Sequence, residues 1–373
     1  MAQAVHLHVG TAKSGTTYLQ HVMANNRRRL RENGYLYPGD KNSHFMASLS
    51  LRDATFKGHR YVAAEGAWGR IAQEVQDFPG QALVSHETLG NATPDVIREA
   101  VGSFGDSQVQ VLITCRDLGR QLPAAWQERV KNKNQQTFDE YLERVRAAWA
   151  DGSPAQGSVF WRTQDLVGLA RRWADAVGVD NVTLVTVPGA GAAAAPGELW
   201  RRFAAAARIP DAPYDLEVRT SNTSLGTVEA ELLRRLNGYF PQELRWPDYE
   251  RFVKHRLVKS QLARHELGGK LSVLEEHQGW TVEAADLLIE GVRAGGYRVV
   301  GDLEDLRPTF RADATRPADV TTEQLLDLSL RVLSDLALLK PQRIVRRVVE
   351  KAPVPGGREA LRILGRALRN RVP

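Results

Sequence analysis

Glycine, lysine and threonine residues near the start of the chain have the spacing of a phosphate-binding loop. The segment reads Gly10-Thr11-Ala12-Lys13-Ser14-Gly15-Thr16-Thr17. It fits the G-x-x-x-x-G frame of a P-loop, in which a lysine directly after the second glycine reaches the β- and γ-phosphates of a nucleotide. Here Thr16 takes that position and Lys13 lies on the loop itself. The loop therefore predicts an anion site that differs from that of a nucleotide triphosphatase.

The residues on either side of this loop predict the strand and the helix that such a site needs. Val5-His6-Leu7-His8-Val9 alternates apolar and polar residues like a strand, and Leu19, Val22 and Met23 then recur at helical spacing. Backbone N–H groups at a helix N-terminus are unpaired and carry a partial positive charge, so they attract an anion. The strand, loop and helix together predict a phosphate site.

Polar residues also follow two other predicted strands. Ala82-Leu83-Val84-Ser85 runs into His86 and Glu87, and the apolar segment 109–115 runs into Arg116. A guanidinium group suits phosphate because its planar fork meets two oxygens at once. Ligands of open α/β sheets bind outside the carboxyl ends of the strands. Lys13, Glu87 and Arg116 are therefore expected to converge on one crevice if these strands are parallel neighbours.

Lys13-Ser14-Gly15-Thr16-Thr17 resembles the K-x-G-T-T loop of sulfotransferases that use 3′-phosphoadenosine 5′-phosphosulfate (PAPS), and the chain looks like a soluble bacterial member of that family. The resemblance implies that Lys13 contacts the bridge between the 5′-phosphate and the departing sulfuryl group. It also implies that Ser14, Gly15, Thr16, Thr17 and Tyr18 hold the 5′-phosphate, that Arg116 binds the 3′-phosphate, and that no metal takes part.

The implied reaction moves the sulfuryl group to a hydroxyl, or less favourably an amine, of an acceptor such as a glycolipid, a carbohydrate or a natural product. An attacking hydroxyl must lose its proton to a base within hydrogen-bond reach. Glu87 is favoured over His86, because the carbohydrate-modifying branch of the family carries a glutamate after the corresponding strand. A helix-entry or ribose-contacting role remains open for both residues.

The chain departs from the family pattern at two places. Ala124 stands eight residues after Arg116, where the family usually has a serine that binds the 3′-phosphate. Gln121 or Gln127 could replace that serine, or Arg116 could carry more of the binding. The late Arg-Lys-Gly loop of the family is not clearly present, and its nearest candidates are Arg264 and the segment 268–270. Trp126 and Lys131, on the helix after Arg116, are candidate acceptor contacts.

Three side chains that carry reactive groups, those of His6, His8 and Cys115, are predicted to pack inside the protein rather than to take part in chemistry. His6 and His8 fall on one face of the first strand, beneath the loop, with a polar contact to substrate left open for His8. Cys115 is the only cysteine of the chain, so the chain can form no internal disulfide. Its place in an apolar strand predicts a small buried hydrophobe.

The pattern as a whole predicts an α/β protein with a three-layer parallel sheet flanked by helices. A fourth apolar run, 182–187, follows a helical stretch, 164–176, and continues the βαβ rhythm. The 373 residues are 43% hydrophobic and 25% charged, which is typical of a globular protein. We expect a catalytic domain, 1–305, and a helical, basic C-terminal extension, 306–373.

The high pI of the chain comes from its C-terminal segment. Residues 340–373 contain ten Lys or Arg and two Glu, a net charge of +8, which leaves −2 for the other 339 residues. This segment could bind an anionic membrane surface or pack as a solvated helix on the catalytic domain. The absence of a signal peptide or a long apolar stretch predicts a cytoplasmic enzyme, with peripheral membrane contact left open through the basic segment.

Two other classes of function are open from the sequence. A basic tail could bind nucleic acid, although no nucleic-acid module accompanies it and no specific nucleic-acid partner is expected. A P-loop phosphotransferase that uses ATP is the other alternative. It would require Mg²⁺-dependent turnover of ATP, and the missing lysine after Gly15 disfavours it.

Overall fold

A computed structural model of the chain describes residues 2–40, 42–151, 158–189, 197–218, 224–265 and 267–338. It divides the chain into two compact units, 1–325 and 326–373. The basic segment 340–373 lies outside the described residues. The division into a catalytic domain, 1–305, and an extension, 306–373, stays a prediction.

A six-stranded parallel sheet forms the centre of the first unit, in the order β2-β3-β1-β4-β5-β6. This confirms the predicted α/β class. Its strands, as far as the described residues show, are β1 Ala4–His8, β2 Tyr35–Leu36, β3 Gln81–Ser85, β4 Gln108–Cys115, β5 Val182–Thr186 and β6 Arg298–Val300.

Helices account for most of the remaining described residues. The α-helices of six or more residues are α1 Thr16–Asn25, α2 Arg27–Glu32, α3 Ser43–Leu51, α4 Ala67–Gln76, α5 Pro94–Gly102, α6 Leu118–Lys131, α7 Phe138–Ala150, α8 Leu166–Val177, α9 Glu198–Ala206, α10 Thr227–Leu236, α11 Glu275–Ala294 and α12 Thr322–Ala337. A π-helix, Tyr249–Lys259, follows the short turn Trp246–Asp248.

The sheet is covered on both faces, which gives the three layers that the sequence predicts. Val84 and Val111 belong to one apolar cluster, whereas their chain neighbours Leu83 and Leu112 belong to the other. Successive side chains of a strand point to opposite faces, so two buried faces require an apolar residue at nearly every position. Trp173 of α8 is fully buried in the first cluster and Phe203 of α9 in the second.

The order of the strands opens a crevice at the carboxyl end of β1. The chain leaves β1 toward β2 on one side of it, and after β3 it crosses to β4 on the other side. In doubly wound sheets such a reversal separates the loops that follow neighbouring strands, and ligands bind there. His8, the last residue of β1, is in register with Ser85, the last residue of β3. The loops after β1 and β3 therefore start side by side, while β4 continues from Leu112, opposite His8, to Cys115 before its loop begins.

Candidate functional site

The glycine loop after β1 lies against the end of β4. The amide of Thr11 donates to the carbonyl of Thr114 at 2.9 Å, and its hydroxyl donates to the same oxygen at 3.1 Å. Lys13 and Gly15 have φ angles of 70° and 86°, in the left-handed region. Helix α1 begins at Thr16, and its N-cap residue, Gly15, has no side chain that could cap it. Backbone N–H groups at the N-terminus of a helix form the kind of site at which anions bind.

The side chains beneath the loop form a buried hydrogen-bonded layer. His8 lies between the hydroxyls of Ser85, at 2.8 Å from Nδ1, and Thr114, at 3.0 Å from Nε2. Burial, with the charge of His86 as a smaller cause, lowers the pKa of His8 to about 3, so its ring is neutral. The predicted packing role is confirmed. The hydroxyl of Ser14 lies 2.7 Å from that of Thr114, so this predicted phosphate ligand faces the interior.

A cleft of about 1230 Å³ opens above this layer and brings Lys13, Glu87 and Arg116 together. Gly15, Thr16 and Thr17 line it as well. Tyr18 lines both this cleft and a neighbouring cavity of about 800 Å³. The spatial convergence that the positions after the strands predict is present, while the roles of these residues in binding and catalysis stay predictions.

One face of α6 forms a long wall of the cleft. The residues that line it recur at intervals of three or four, as one helical face requires. They are Gly119, Arg120, Pro123, Ala124, Gln127, Glu128 and Lys131. At 14 residues, α6 is about 20 Å long, so the cleft has two well-separated ends along this helix.

The cleft is strongly cationic although residues 1–339 together are nearly neutral. Among the described residues, eight Lys or Arg and three Glu line it. Such an excess attracts anionic ligands and strengthens their binding in a partly desolvated site. The cations are Lys13, Arg116, Arg120, Lys131, Lys254, Lys259, Lys270 and Arg311, and the carboxylates are Glu87, Glu128 and Glu250.

Lys13 reaches across the cleft to α6. Its Nζ donates to Oε2 of Glu128 at 2.7 Å, and Lys254 of the π-helix donates to Oε1 at 2.8 Å. Burial by itself raises the pKa of the Glu128 carboxyl, but the two ammonium groups outweigh it and hold that pKa well below its usual range. Glu128 is therefore an ionised anchor for both lysines and a poor base.

Arg116 lies beside the glycine loop. Its Nη1 donates to the carbonyl of Lys13 at 3.3 Å. Burial, and then the charge of Arg120, lowers its pKa to about 10, while Asp117 opposes that shift. Asp117 accepts from the amide of Arg120 at 2.9 Å, caps α6 and forms an ion pair with the Arg120 side chain. The guanidinium of Arg116 is thus charged at neutral pH and costly to bury without an anion.

Three residues that line the cleft have buried polar atoms without a hydrogen-bond partner among the described residues. The atoms are Oγ1 of Thr16, Nε of Arg116 and Nη2 of Arg120. Buried donors are nearly always satisfied in folded proteins, and an unsatisfied one costs about 1–3 kcal/mol. One hydroxyl and two guanidinium N–H groups in a cationic cleft fit the oxygens of a phosphate-bearing ligand.

The two residues predicted as alternative bases occupy different positions. Glu87 begins the 3₁₀ helix Glu87–Asn91 and lines the cleft. His86 caps that helix: Nδ1 accepts from the Thr88 amide at 3.2 Å and lies 2.7 Å from the Thr88 hydroxyl. Its ring lies 5.2 Å from that of Phe45. The geometry thus leaves Glu87 on the cleft surface and engages His86 in capping.

The two glutamines considered as substitutes for the missing serine are both engaged with main chain. Gln121 donates to the carbonyl of Ala12, and Gln164 donates to the same oxygen at 3.2 Å. Gln127 donates to the Leu225 carbonyl at 2.8 Å and accepts from the Leu225 amide at 3.2 Å. These glutamines hold the glycine loop and the segment at Leu225, whereas Ala124 itself lines the cleft.

Several residues of the cleft were not identified from the sequence. Glu128 lies eight residues after Arg120, on the face of α6 that helical spacing could have indicated. Lys254 and Lys259 come from the π-helix, and Arg311 from an irregular segment, so no local pattern marks them. Of the late candidates, Lys270 lines the cleft and Arg264 does not.

The two candidate acceptor contacts on α6, Trp126 and Lys131, lie in different surroundings. Trp126 is fully buried, and its Nε1 donates to the Gln136 carbonyl at 2.9 Å, so a direct acceptor contact was a wrong expectation. Lys131 lines the cleft as expected.

Cys115 is buried, which confirms its predicted packing role. Burial also raises the pKa of its thiol to about 12.

The described residues offer neither a cluster of metal ligands nor a membrane-spanning helix. No group of three or more His, Cys, Asp or Glu side chains in this part of the chain is arranged to hold a metal ion. No helix within the same residues has both the length and the apolar character needed to cross a membrane.

No protein-family model matches the chain, and no curated protein matches it. Among solved structures, the chain is similar to the crystal structure of a sulfotransferase from Alicyclobacillus acidocaldarius, with 18% sequence identity and a TM-score of 0.39. The match covers 67% of this chain and 95% of that one. A likeness at this TM-score does not establish a shared fold or activity.

Proposed function

We propose that this protein is a sulfotransferase that moves a sulfuryl group from PAPS to a hydroxyl, or less favourably an amine, of an acceptor molecule. The observation that carries the proposal is the presence of the Lys13–Thr17 loop, Glu87 and Arg116 in one cationic cleft. The loop has the K-x-G-T-T form, and it lacks the lysine that a nucleotide triphosphatase places after the second glycine.

The proposed donor site uses the unsatisfied donors of the cleft. The N-terminus of α1 and the hydroxyl of Thr16 would hold the 5′-phosphate, because both present hydrogen-bond donors at the end of the loop. Arg116, with its free Nε, would bind the 3′-phosphate, and Arg120 would add charge beside it. Neither group requires a metal ion for this contact, since charge-assisted hydrogen bonds to phosphate form directly.

The proposed transfer is an in-line displacement at sulfur. The acceptor oxygen forms a new bond to sulfur as the bond between sulfur and the 5′-phosphate oxygen breaks, and 3′,5′-adenosine bisphosphate (PAP) leaves. Glu87 takes the acceptor proton. Lys13 donates to the bridging oxygen as negative charge grows there, which is where a preorganised cation lowers the barrier. Glu128 holds the Lys13 ammonium over the cleft before the donor binds.

Calorimetric titration tests the donor site without knowledge of the acceptor. PAP and 5′-AMP differ by the 3′-phosphate, so the ratio of their affinities measures recognition of that group. We expect Arg116→Ala to weaken PAP binding by roughly 1.5–3 kcal/mol and to leave AMP binding nearly unchanged, since a charge-assisted contact to one phosphate is lost. Arg162→Ala, which removes an exposed arginine outside the cleft, is the control.

An equal loss for PAP and AMP in the Arg116 variant would contradict its assignment to the 3′-phosphate. Titration with ATP and Mg²⁺ distinguishes the phosphotransferase alternative. Binding of ATP with Mg²⁺ and no binding of PAP would overturn the proposed activity as a whole. PAP binding that is independent of Mg²⁺ supports it, and radiolabelled PAPS can then be used to screen hydroxyl acceptors.

Contact of residues 340–373 with an anionic membrane is a separate proposal, supported by the net charge of +8 of this segment. Electrostatic attraction of this kind weakens as the salt concentration rises. Sedimentation with phosphatidylserine vesicles and with neutral vesicles, with and without residues 340–373, tests it. Equal sedimentation with both vesicle types would contradict it.

A further inference from the structure

Helix α12 carries a row of leucine side chains on its surface. Leu326, Leu330 and Leu333 are each 57–61% exposed, and Ala337, one turn further along, is also exposed. Their spacing of four, three and four residues places them on one face of the helix, which is called the outer row below. A single exposed leucine is ordinary in a folded protein, whereas a contiguous row marks an interaction surface.

A different face of the same helix is buried. Leu325, Leu328 and Val332 belong to the buried apolar residues of the protein, so α12 is apolar on two faces. A helix that lies on a protein surface normally needs one apolar face and is polar on the other. The outer row is therefore more than the packing of α12 requires, and it points to a further contact.

The charge of α12 indicates what kind of partner fits the outer row. The helix contains three acidic residues and one arginine, a net charge of −2. Glu323 and Asp327 each lie three residues before a leucine of the outer row, and therefore beside it on the helix surface. Arg331 forms an i,i+4 ion pair with Asp327 at 2.9 Å, on the side away from the leucines. A partner with an apolar stripe and positive flanks would match this surface.

The sequence after α12 contains a segment of that kind. Leu361, Leu364 and Leu368 recur at intervals of three and four residues, as one face of a helix requires. Residues 358–371 hold five Arg and one Glu, a net charge of +4. Isolated helices of about this length are only marginally stable in water. The segment therefore needs an apolar surface if it is to fold as a helix.

The lengths of the two rows and of the chain between them allow this contact within one molecule. Both rows have the average spacing of 3.5 residues by which two helices pack side by side. The outer row, 326–337, is about 17 Å long. Two Pro and two Gly in 353–357 interrupt any helical pattern before residue 358. A flexible chain of the length of 339–357 spans roughly 22–26 Å, which is enough to reach the row.

A second apolar segment of the same region, 342–351, is a poorer match. Its large apolar residues are Ile344, Val345, Val348 and Val349, and all of them are β-branched. Such residues have a lower helix propensity than leucine, because their side chains lose freedom against the preceding turn. They also extend over less than two helical turns, so they would cover only part of the outer row.

We propose that residues 358–371 fold as a helix on the outer row of α12 in the same chain, with their three leucines against the three leucines of that row. The acidic residues of α12 then lie beside the arginines of the segment. This contact does not depend on sulfuryl transfer. It would also cover the leucines that an amphipathic helix inserts into a membrane, so docking on α12 and binding to a membrane would compete for the same face.

Amide hydrogen exchange of the full-length protein, without lipid and followed by mass spectrometry, tests the proposal. We expect residues 358–371 to exchange roughly tenfold or more slowly than an unstructured chain, as a packed helix does. Leu330→Ser combined with Leu333→Ser should remove this protection. Val282→Ser combined with Leu287→Ser, which removes two exposed apolar residues from α11, is the matched control and should leave it intact.

A variant on the other side of the contact does not alter α12 itself. Leu361→Ser combined with Leu364→Ser should speed the exchange of residues 326–337, because the outer row loses its cover. Val345→Ser combined with Val348→Ser should leave the protection of 358–371 unchanged. Measurements at several protein concentrations distinguish a contact within one chain from one between two copies, since only the second weakens on dilution.

Exchange of residues 358–371 at the rate of an unstructured chain in the wild type would overturn the docking, and would be expected if their leucines bind only a membrane. Protection that survives in the variant of Leu330 and Leu333, or unchanged exchange of 326–337 in the variant of Leu361 and Leu364, would show that the segment packs elsewhere. Protection that is lost on dilution would assign the outer row to a second copy of the chain.

Discussion

Lys13 of the glycine loop and Glu128 of α6 form a hydrogen-bonded ion pair, with 2.7 Å between Nζ and Oε2. The pair joins residues 115 positions apart across the cleft. Lys254 occupies the other carboxylate oxygen, so one anion holds two cations. This arrangement fixes the direction of the Lys13 side chain and removes Glu128 from the candidates for a base. Glu128 is therefore expected to affect the proposed sulfuryl transfer by positioning the Lys13 side chain.

Variants of this pair are expected to be non-additive. Lys13→Ala should slow transfer from radiolabelled PAPS by roughly 10²–10³, the usual effect of losing one preorganised donor. Glu128→Gln should slow it by about tenfold, because the Lys13 ammonium is retained but no longer held in place. In the double variant the rate should equal that of Lys13→Ala alone. A further tenfold loss in the double variant would show that Glu128 acts independently of Lys13.

The assignment of the base predicts different outcomes for two adjacent residues. Glu87→Gln should lower kcat by roughly 10²–10⁴, the range for loss of a general base, and leave the PAP affinity unchanged. His86→Gln should affect mainly stability, by about 1 kcal/mol, since it removes the cap that accepts from the Thr88 amide. Measurements of kcat with an identified acceptor, together with the midpoints of thermal unfolding, distinguish the two roles. A larger kcat loss for His86→Gln would reverse the assignment.

Thr16→Val is expected to have opposite effects on stability and binding. The change keeps the side-chain shape and removes a buried hydroxyl without a partner, so the free energy of unfolding should rise by roughly 1 kcal/mol. The affinity for PAP should fall by about 0.5–1.5 kcal/mol if this hydroxyl donates to the 5′-phosphate. Chemical denaturation and calorimetry measure the two quantities.

Thr114→Val is the matched control for that change, because the Thr114 hydroxyl lies 3.0 Å from His8 Nε2 and 2.7 Å from the Ser14 hydroxyl. Its loss should destabilise the protein by about 1 kcal/mol. Stabilisation by Thr114→Val, or unchanged PAP affinity in Thr16→Val, would contradict this account of the loop.

Gly15 is expected to tolerate no side chain, for two separable reasons. Its φ of 86° is in the left-handed region, and an added Cβ would lie 2.4 Å from Cδ2 of Leu199. Gly15→Ala should cost about 1–2 kcal/mol from backbone strain, plus the steric clash. Adding Leu199→Ala removes the clash but not the strain. Relative to Leu199→Ala alone, Gly15→Ala should therefore cost about 1–2 kcal/mol in urea unfolding, and a smaller cost would contradict the left-handed conformation.

Burial, and then the charge of Lys13, lowers the pKa of Lys131 to about 8, which predicts a specific pH dependence of stability. Between its folded pKa of about 8 and the ordinary value near 10.4, the unfolded chain binds more protons at this residue than the folded protein does. The contribution of Lys131 to the free energy of unfolding therefore rises with pH across that window and is lowest below pH 8. Lys131→Met should raise the free energy of unfolding at pH 7 by roughly 1–3 kcal/mol and remove this part of the pH dependence.

The difference between the unfolding curves of wild type and Lys131→Met at pH 7 and pH 10 measures that contribution. Lys133→Met is the control, because the Lys133 ammonium donates to the Leu244 carbonyl at 3.1 Å outside the cleft. A difference between wild type and Lys131→Met that does not shrink from pH 7 to pH 10 would contradict the lowered pKa.

The central strands could be predicted from the sequence because a parallel strand buried on both faces is a nearly continuous apolar run. β3, β4 and β5 have this character, whereas β1 was predicted from the alternation of apolar residues with His6 and His8. All four lie within one or two residues of their predicted positions. β2 and β6 were not predicted. They contain two and three residues at the edges of the sheet, and so short a run has no period that a pattern could show.

The residues of the site that directly follow strands could also be predicted from the local sequence. Lys13, Glu87 and Arg116 each follow a predicted strand, and parallel pairing in the order β3-β1-β4 brings them to one edge. Trp126 shows where local reasoning fails. It shares α6 with cleft residues, but its ring lies against Phe138, with the ring centres 5.2 Å apart, on the buried side of the helix.

The sequence by itself determined the parallel α/β sheet, the glycine loop and the identities of three residues that meet beside it, since each of these depends on neighbouring residues or on the short period of a strand. Only the tertiary structure decided what Lys13 contacts. Its partner Glu128, the second lysine at that carboxylate, and Lys131 and Lys259 at the far end of the cleft come from segments far apart in the chain. The charge of the cleft depends on how those segments pack, because Coulomb energies depend on distance and burial and not on separation along the chain.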